Sequence, residues 1–155
     1  MDIPRIELAR LPTPLEPLDS LSAHIGGPRI WIKRDDLTDT TASGNKLRKL
    51  EFTVARALAE QADLLITVGG VQSNHCRSTA IVASKLGLKC HLILRGSAPE
   101  EVDGNLLLDH LVGAGVSFVS NEKYQDMDAC VAEVMRQYPE LSAYFFPVGA
   151  CDETG

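Results

Sequence analysis

The chain lacks the marks of several large classes of protein, and each absence narrows what it can be. No block of lysine and arginine interrupts a sequence with a formal net charge of −6 and an isoelectric point near 5.1. That balance argues against nucleic acid or an anionic membrane as the main partner and leaves small molecules. No apolar run is long enough to span a bilayer, and Met1-Asp2-Ile3-Pro4-Arg5 has neither the basic nor the apolar region of a secretion signal. A cytoplasmic location is expected. The four cysteines, Cys76, Cys90, Cys130 and Cys151, form no Cys-x-x-Cys pair and no Cys/His group with zinc spacing. They read as free thiols, Cys76 as a buried one, and no metal site is expected. His24, His91 and His110 read as surface or satisfied polar groups. Solenoid repeats and low-complexity segments are missing too.

With 45% hydrophobic residues among 155, the chain can bury a core of single-domain size. Residues 11–18 are broken by Pro12, Pro14 and Pro17, which predicts an extended arm. A short helix over 19–24 stops at Gly26-Gly27, and 29–33 alternates like a half-buried strand closed by Lys33-Arg34-Asp35-Asp36. From there strands and helices alternate. Strands are predicted over 63–68, 89–94, 116–119 and 143–148, and helices from Ser73 to a stop at Gly87, over 103–112 and over 127–138. This order predicts an α/β fold built of βαβ units on a parallel sheet, with ligands gathering at the carboxyl ends of its strands.

Two turns carry candidate chemistry. In Ser43-Gly44-Asn45-Lys46 the small residues give backbone freedom and a capping side chain, and Leu47, Leu50, Val54 and Leu58 follow at helical spacing. Lys46 thus falls in a first helical turn, where the helix dipole and any burial disfavour an ammonium and favour a neutral amine able to attack a carbonyl. Spacing alone equally allows a solvated lysine. In the second turn, Gly69-Gly70 lets a ligand approach the backbone, and Ser73 and Asn74 offer short polar groups beside a helix start. An ordinary strand-to-helix junction with a serine cap looks the same. The run Gly69-Gly70-Val71-Gln72 lacks the Gly-x-Gly-x-x-Gly spacing of a dinucleotide site.

Taken together and in order, Trp31-Ile32-Lys33-Arg34-Asp35-Asp36-Leu37-Thr38, the lysine turn, Lys49-Leu50-Glu51-Phe52 and Gly69-Gly70-Val71-Gln72-Ser73-Asn74-His75 resemble the D-cysteine desulfhydrase and 1-aminocyclopropane-1-carboxylate deaminase family. These are pyridoxal-phosphate enzymes of fold type II. The resemblance implies that Lys46 is the Schiff-base lysine, rather than Lys33, Lys49 or Lys85. It implies that Asn45 and Asn74 help bind pyridoxal phosphate, Asn74 through the ring's phenolic oxygen. Gln72, Ser73, Asn74 and His75 would bind a small amino-acid substrate, with Ser73 also a nucleophile or proton relay. Ser73 and Asn74 are expected to line one cavity with Lys46.

The departures matter as well. The family's paired glycines before Asn-Lys are replaced by Asp39-Thr40-Thr41-Ala42-Ser43-Gly44, and its Pro-Val-Gly-Gly-Ser-Asn segment reads Pro147-Val148-Gly149-Ala150-Cys151-Asp152. Family chains run to roughly twice this length. The resemblance then implies an N-terminal half: an arm and lysine turn, residues 1–50, that would join a large domain, and a small α/β domain, residues 51–155. The phosphate-gripping loop would lie in sequence not present here, the full-length form would be a homodimer, and this chain would fold best over 51–149 and bind cofactor weakly. A lyase or deaminase releasing sulfide, ammonia and pyruvate from D-cysteine is one reading. A non-catalytic α/β module without a complete cofactor site is the other.

Overall fold

A computed structural model describes residues 3–151; Asp152 and the last residues of the 51–155 segment lie outside the described residues. The arm forms strand β1 (Leu15–Pro17), helix α1 (Asp19–Ile25) and strand β2 (Trp31–Lys33), with β1 and β2 antiparallel. Helix α2 (Asn45–Ala59) leads to β3 (Leu64–Gly70), α3 (Asn74–Leu86), β4 (Lys89–Arg95), α4 (Gly104–Leu111), β5 (Gly115–Val119), α5 (Met127–Met135) and β6 (Ala143–Phe146). The expected α/β fold is present. Strands run parallel in the order β5-β4-β3-β6. The chain therefore leaves β3 for one side of the sheet and returns to its other side as β6. The carboxyl ends of β3 and β6 flank the point where strand order reverses, the usual crevice for ligands in such sheets.

Strand periodicity sorts the core onto two faces. Leu64, Ile66 and Val68 pack with Cys130 and Val134 of α5, while Leu65, Leu92, Leu94 and Phe146 pack with α2, α3 and Leu106 of α4. Burying β3 on both faces explains its continuous apolar run. Leu47, Leu50 and Val54 are buried at the predicted helical spacing, each worth about 1.5–3 kcal/mol, whereas Leu58 at the end of the stripe is exposed. Strand β2 is shorter than the predicted 29–33, and α5 ends at Met135, short of Tyr138. The Tyr138 ring turns instead to His91. Among the described residues no helix is long and apolar enough to cross a membrane.

The arm is fastened by one buried carboxylate. Glu51 accepts from the backbone N–H groups of Leu8 (3.0 Å) and Ala9 (2.8 Å) and pairs with Arg5 at 2.7 Å. Its own carbonyl accepts from Ile6. Burial works to raise its pKa, but these donors leave it below the ordinary range. Three other polar groups are buried at a cost. The His75 ring reaches Thr67 at 3.0 Å, and His91 reaches both Tyr138 (3.1 Å) and Ser117 (2.8 Å). Burial pushes both imidazoles down to about 4. Neither carboxylate oxygen of Asp109 finds a partner among the described residues, and burial, only partly offset by Arg77, pushes the group up to about 7.

Two predictions follow from these groups. Glu51→Ala strips the acceptor from two half-buried N–H groups and should cost about 2–4 kcal/mol. In limited proteolysis its first new cleavages should fall within residues 3–10; cleavage spread evenly over the chain would contradict the fastening role. The second concerns pH. Between about 4 and 6.5 the unfolded chain binds protons on His75 and His91 that the folded chain refuses, while the folded chain keeps one on Asp109 that the unfolded chain releases. Two minus one leaves one extra proton on the unfolded state, so stability rises with pH across this window and is lost toward pH 4. Asp35, Asp39 and Glu51, held below their ordinary values, add in the same direction only near its lower end. Asp109→Asn removes the opposing proton, so denaturant titrations over the window should show the slope about doubled. An unchanged slope would show that Asp109 ionises as freely in the folded chain as in the unfolded one.

Candidate active site

The loop that delivers Lys46 lies along α3. Lys85 pairs with Asp39 at 2.8 Å, Ser78 donates to the carbonyl of Ala42 at 3.3 Å, and Arg77 donates through Nη2 to the carbonyl of Ser43 at 3.1 Å. Asp39 also accepts from the N–H of Ala42; against burial, these donors bring its carboxyl down to about 2. The loop is closed at its base by the N–H of Gly44, which donates to Thr38 Oγ1 (3.0 Å) and to the carbonyl of Asp35 (3.0 Å). Arg48, one turn into α2, grips Asp35 at 2.7 Å. The segment 33–36 is therefore more than a solvated strand end: Arg34 pairs with Glu16 and Asp36, and Asp35 anchors the lysine turn.

This closure changes the expected cap. Gly44, at φ 107°, is the N-cap of α2, and no side chain caps that helix. Asn45 is its exposed first residue rather than the capping group. The φ value requires glycine there. Lys46 occupies the first turn as predicted. It is partly buried, and among the described residues no hydrogen bond or ion pair engages its amine. Lys33, Lys49, Lys85 and Lys123 all have partners. Lys49 points to the carbonyl of Gly149 at 3.4 Å, which places this face of α2 beside the turn that follows β6.

The second turn leaves the carboxyl end of β3. Ser73 caps α3 by accepting from the N–H of Cys76 at 3.2 Å. A Cβ built on Gly69 would stand 2.7 Å from the Ser73 hydroxyl and from the Cys76 sulfur, so the strand must end in glycine for the cap to seat. Gly70 has nothing within 4 Å of where its Cβ would be, and Gly70, Gln72 and Asn74 are exposed. The site is thus an open surface on the described residues. Two cavities, one of about 180 Å³ beside Cys130 and one of about 280 Å³ beside Cys90, lie away from it. Cys76 is buried, and burial pushes its thiol up to about 12, as an inert core cysteine requires.

Two residues expected to meet substrate are occupied otherwise. Thr67 donates to the carbonyl of Phe146, so its oxygen accepts from His75 Nε2–H, and Nδ1 is left as a buried acceptor without a partner among the described residues. After burial, the nearby amines of Lys46 and Lys49 are what keep this ring neutral. His75 therefore lies beneath the turn, inside the sheet's helix face, and brings no charge to a carboxylate. Gln72 accepts from the N–H of Asn105 at 2.8 Å and donates to Asp103 at 2.9 Å, capping α4 where Asp103 does not cap it. Arg77 and Asn105 are what sequence reasoning missed. Arg77 lies two residues past the run that ends at His75, but nothing local marks Asn105, whose contacts lie about thirty residues away.

The chain is similar to known proteins along nearly all of its length. The model of the family "Pyridoxal-phosphate dependent enzyme" matches residues 6–154. The mitochondrial bifunctional D-cysteine desulfhydrase/1-aminocyclopropane-1-carboxylate deaminase of Arabidopsis thaliana is 43% identical over 96% of this chain and 39% of its own length. D-cysteine desulfhydrase of Salmonella paratyphi B is 43% identical over 98% of this chain and 48% of its own. A crystal structure of a 1-aminocyclopropane-1-carboxylate (ACC) deaminase homologue superposes with a TM-score of 0.83 at 40% identity, covering 97% of this chain and 46% of that one. The chain spans about half the length, or less, of these relatives. The family model covers nearly the whole chain, and the chain belongs to the pyridoxal-phosphate-dependent enzyme family.

Proposed function

We propose that this chain carries the lysine-bearing, substrate-facing part of a pyridoxal-phosphate lyase or deaminase that acts on a small amino acid. Elimination of the D-cysteine desulfhydrase kind, releasing sulfide, ammonia and pyruvate, is the leading reaction, in keeping with the names of its relatives. The observation that carries the reading is the state of Lys46: partly buried, without an acceptor for its amine among the described residues, on a turn tied down by Asp35, Thr38 and Arg77. An amine held in place yet unpaired is suited to covalent work.

The residues present fit the cofactor's ring side. Gly70 leaves the backbone open to a flat ring, Asn74 presents an amide, and the Ser73 hydroxyl stands at a helix start. Lys46 would hold the cofactor covalently, with Asn45 beside it, and Asn74 would donate to the ring's phenolic oxygen. Once bound, pyridoxal phosphate supplies the electron sink for charge left when a bond at the substrate's alpha carbon breaks. The Lys46 amine would take and return the proton at that carbon. Ser73 keeps its hydroxyl hydrogen while its oxygen serves the cap, so it can donate to a substrate carboxylate or leaving group. Gln72 and His75 serve in this reading as support. Trp31 (48% exposed) and Ile32 (38%) on the small sheet support the assignment of residues 1–50 to a larger domain, with 51–155 as the small domain. The homodimer belongs to the same proposal. A second reading, an α/β module without a complete site, is favoured by the open surface that the described residues form around Gly70, Gln72 and Asn74.

Mixing the protein with pyridoxal phosphate, reducing with borohydride and mapping the digest should place the pyridoxyl group on Lys46, and Lys46→Ala should abolish it. Label on Lys49 or Lys89 instead would refute the assignment, and no label at all would favour the second reading. Ser73→Ala should lower the unfolding free energy by about 1 kcal/mol through loss of the cap, while labelling of Lys46 persists. Labelling lost together with the hydroxyl would assign Ser73 to the cofactor and not to the substrate.

A further inference from the structure

A side-chain amide offers a donor at one end and an acceptor at the other, and the two ends differ only in the partners around them. At Asn74 those partners form a chain that begins at a group unable to accept. Arg77 donates through Nη1 to Asn105 Oδ1 at 3.2 Å. Guanidinium has donors only, so that end of Asn105 must be oxygen and the other end must be Nδ2. Nδ2 meets two acceptors, the carbonyl of Gln72 at 2.8 Å and Asn74 Oδ1 at 3.0 Å. The Gln72 carbonyl can only accept, so it fixes the same orientation independently. Asn74 must then turn its oxygen toward Asn105 and its NH₂ group away, toward the open surface.

Resting on the function proposed above, we propose that Arg77 and Asn105 are positioning residues: a polarity relay that forces Asn74 to present a donor, not an acceptor, to the cofactor's ring. The same Arg77 holds the Ser43 carbonyl through its other nitrogen, three residues before Lys46. One guanidinium thus sets both the place of the lysine turn and the polarity of the amide that works beside it. Asn105 itself is held in register by Gln72, which accepts from its backbone N–H at 2.8 Å. Arg77 lies near Asp109, whose carboxyl burial pushes up and the guanidinium draws back only in part.

Asn105→Asp tests the relay. The carboxylate still accepts from Arg77 but offers no donor to Asn74, so the Asn74 amide should reverse and donate to it. In nitrogen-resolved NMR of the 155-residue chain without cofactor, the Asn74 side-chain NH₂ signals, identified by their loss in Asn74→Asp, should shift, with one hydrogen newly protected from exchange. Borohydride-trapped pyridoxyl on Lys46 should fall about tenfold, the worth of one hydrogen bond to a charged oxygen, and the cofactor's visible absorption band should move. Asn105→Ala, which adds no charge, should broaden or shift the same NH₂ signals without new protection, and it carries the comparison if the aspartate variant does not fold. Asn74 signals that stay at their wild-type positions in a folded variant overturn the relay, whatever the trapping shows. Absence of trapping in the unaltered protein would overturn the proposed function and leave the amide measurement to judge the relay alone.

Discussion

A carbonyl enclosed between a loop and a helix has to find a donor, and here the carbonyls of Ala42 and Ser43 find theirs on α3, in Ser78 and Arg77. That docking decides where Lys46 can be. Without it the loop 39–44 would be held by its closure through Thr38, Asp35 and Asp39 and by the exposed Lys85–Asp39 pair, and the amine would be placed less closely. Because α3 also begins with the Ser73 cap, one rigid helix carries both turns of the candidate site. The lysine turn leans on its side and the turn that follows β3 forms its start.

The sheet supplies the second constraint. Order β5-β4-β3-β6 opens the crevice at the end of β3, and the residues there have no freedom to be otherwise. Gly69 must lack a side chain for Ser73 to seat, and Thr67 must both receive from His75 and give to Phe146 across to β6. The neutral imidazole under the turn is thus a strut between the helix and the two strands that flank the crevice. Its neutrality has an electrostatic use, since a charged ring there would repel Lys46 and Lys49.

Much of this architecture was legible in the sequence, for reasons that differ between elements. The β3 run and the α3 stripe are set by burial on a fixed period, and Gly87 ends α3 in the left-handed conformation as glycine after a helix does. The first-turn position of Lys46 was legible because a small-residue turn ahead of an apolar stripe marks a helix start, whereas its assignment as the reactive amine came from the resemblance. The α2 cap was misread, because Gly44 is held by Thr38 and Asp35, whose approach no local pattern encodes. Gln72 and His75 were assigned to substrate by resemblance, and their actual partners, Asn105 and Thr67, become visible only once α4 and β3 are in place. Where a side chain points depends on neighbours distant in sequence, whereas which face it belongs to does not.

The pairing of Gln72 with α4 has a consequence for anyone who would redesign the site. Gly104 sits at φ 52°, and a Cβ there would stand 2.6 Å from the Gln72 amide oxygen. The two positions form a single steric unit, one side chain long because the other is absent. A library that varies position 72 would therefore sample the stability of α4 at least as much as the properties of the turn itself. Substitutions at 72 and 104 should be drawn jointly, as one codon pair.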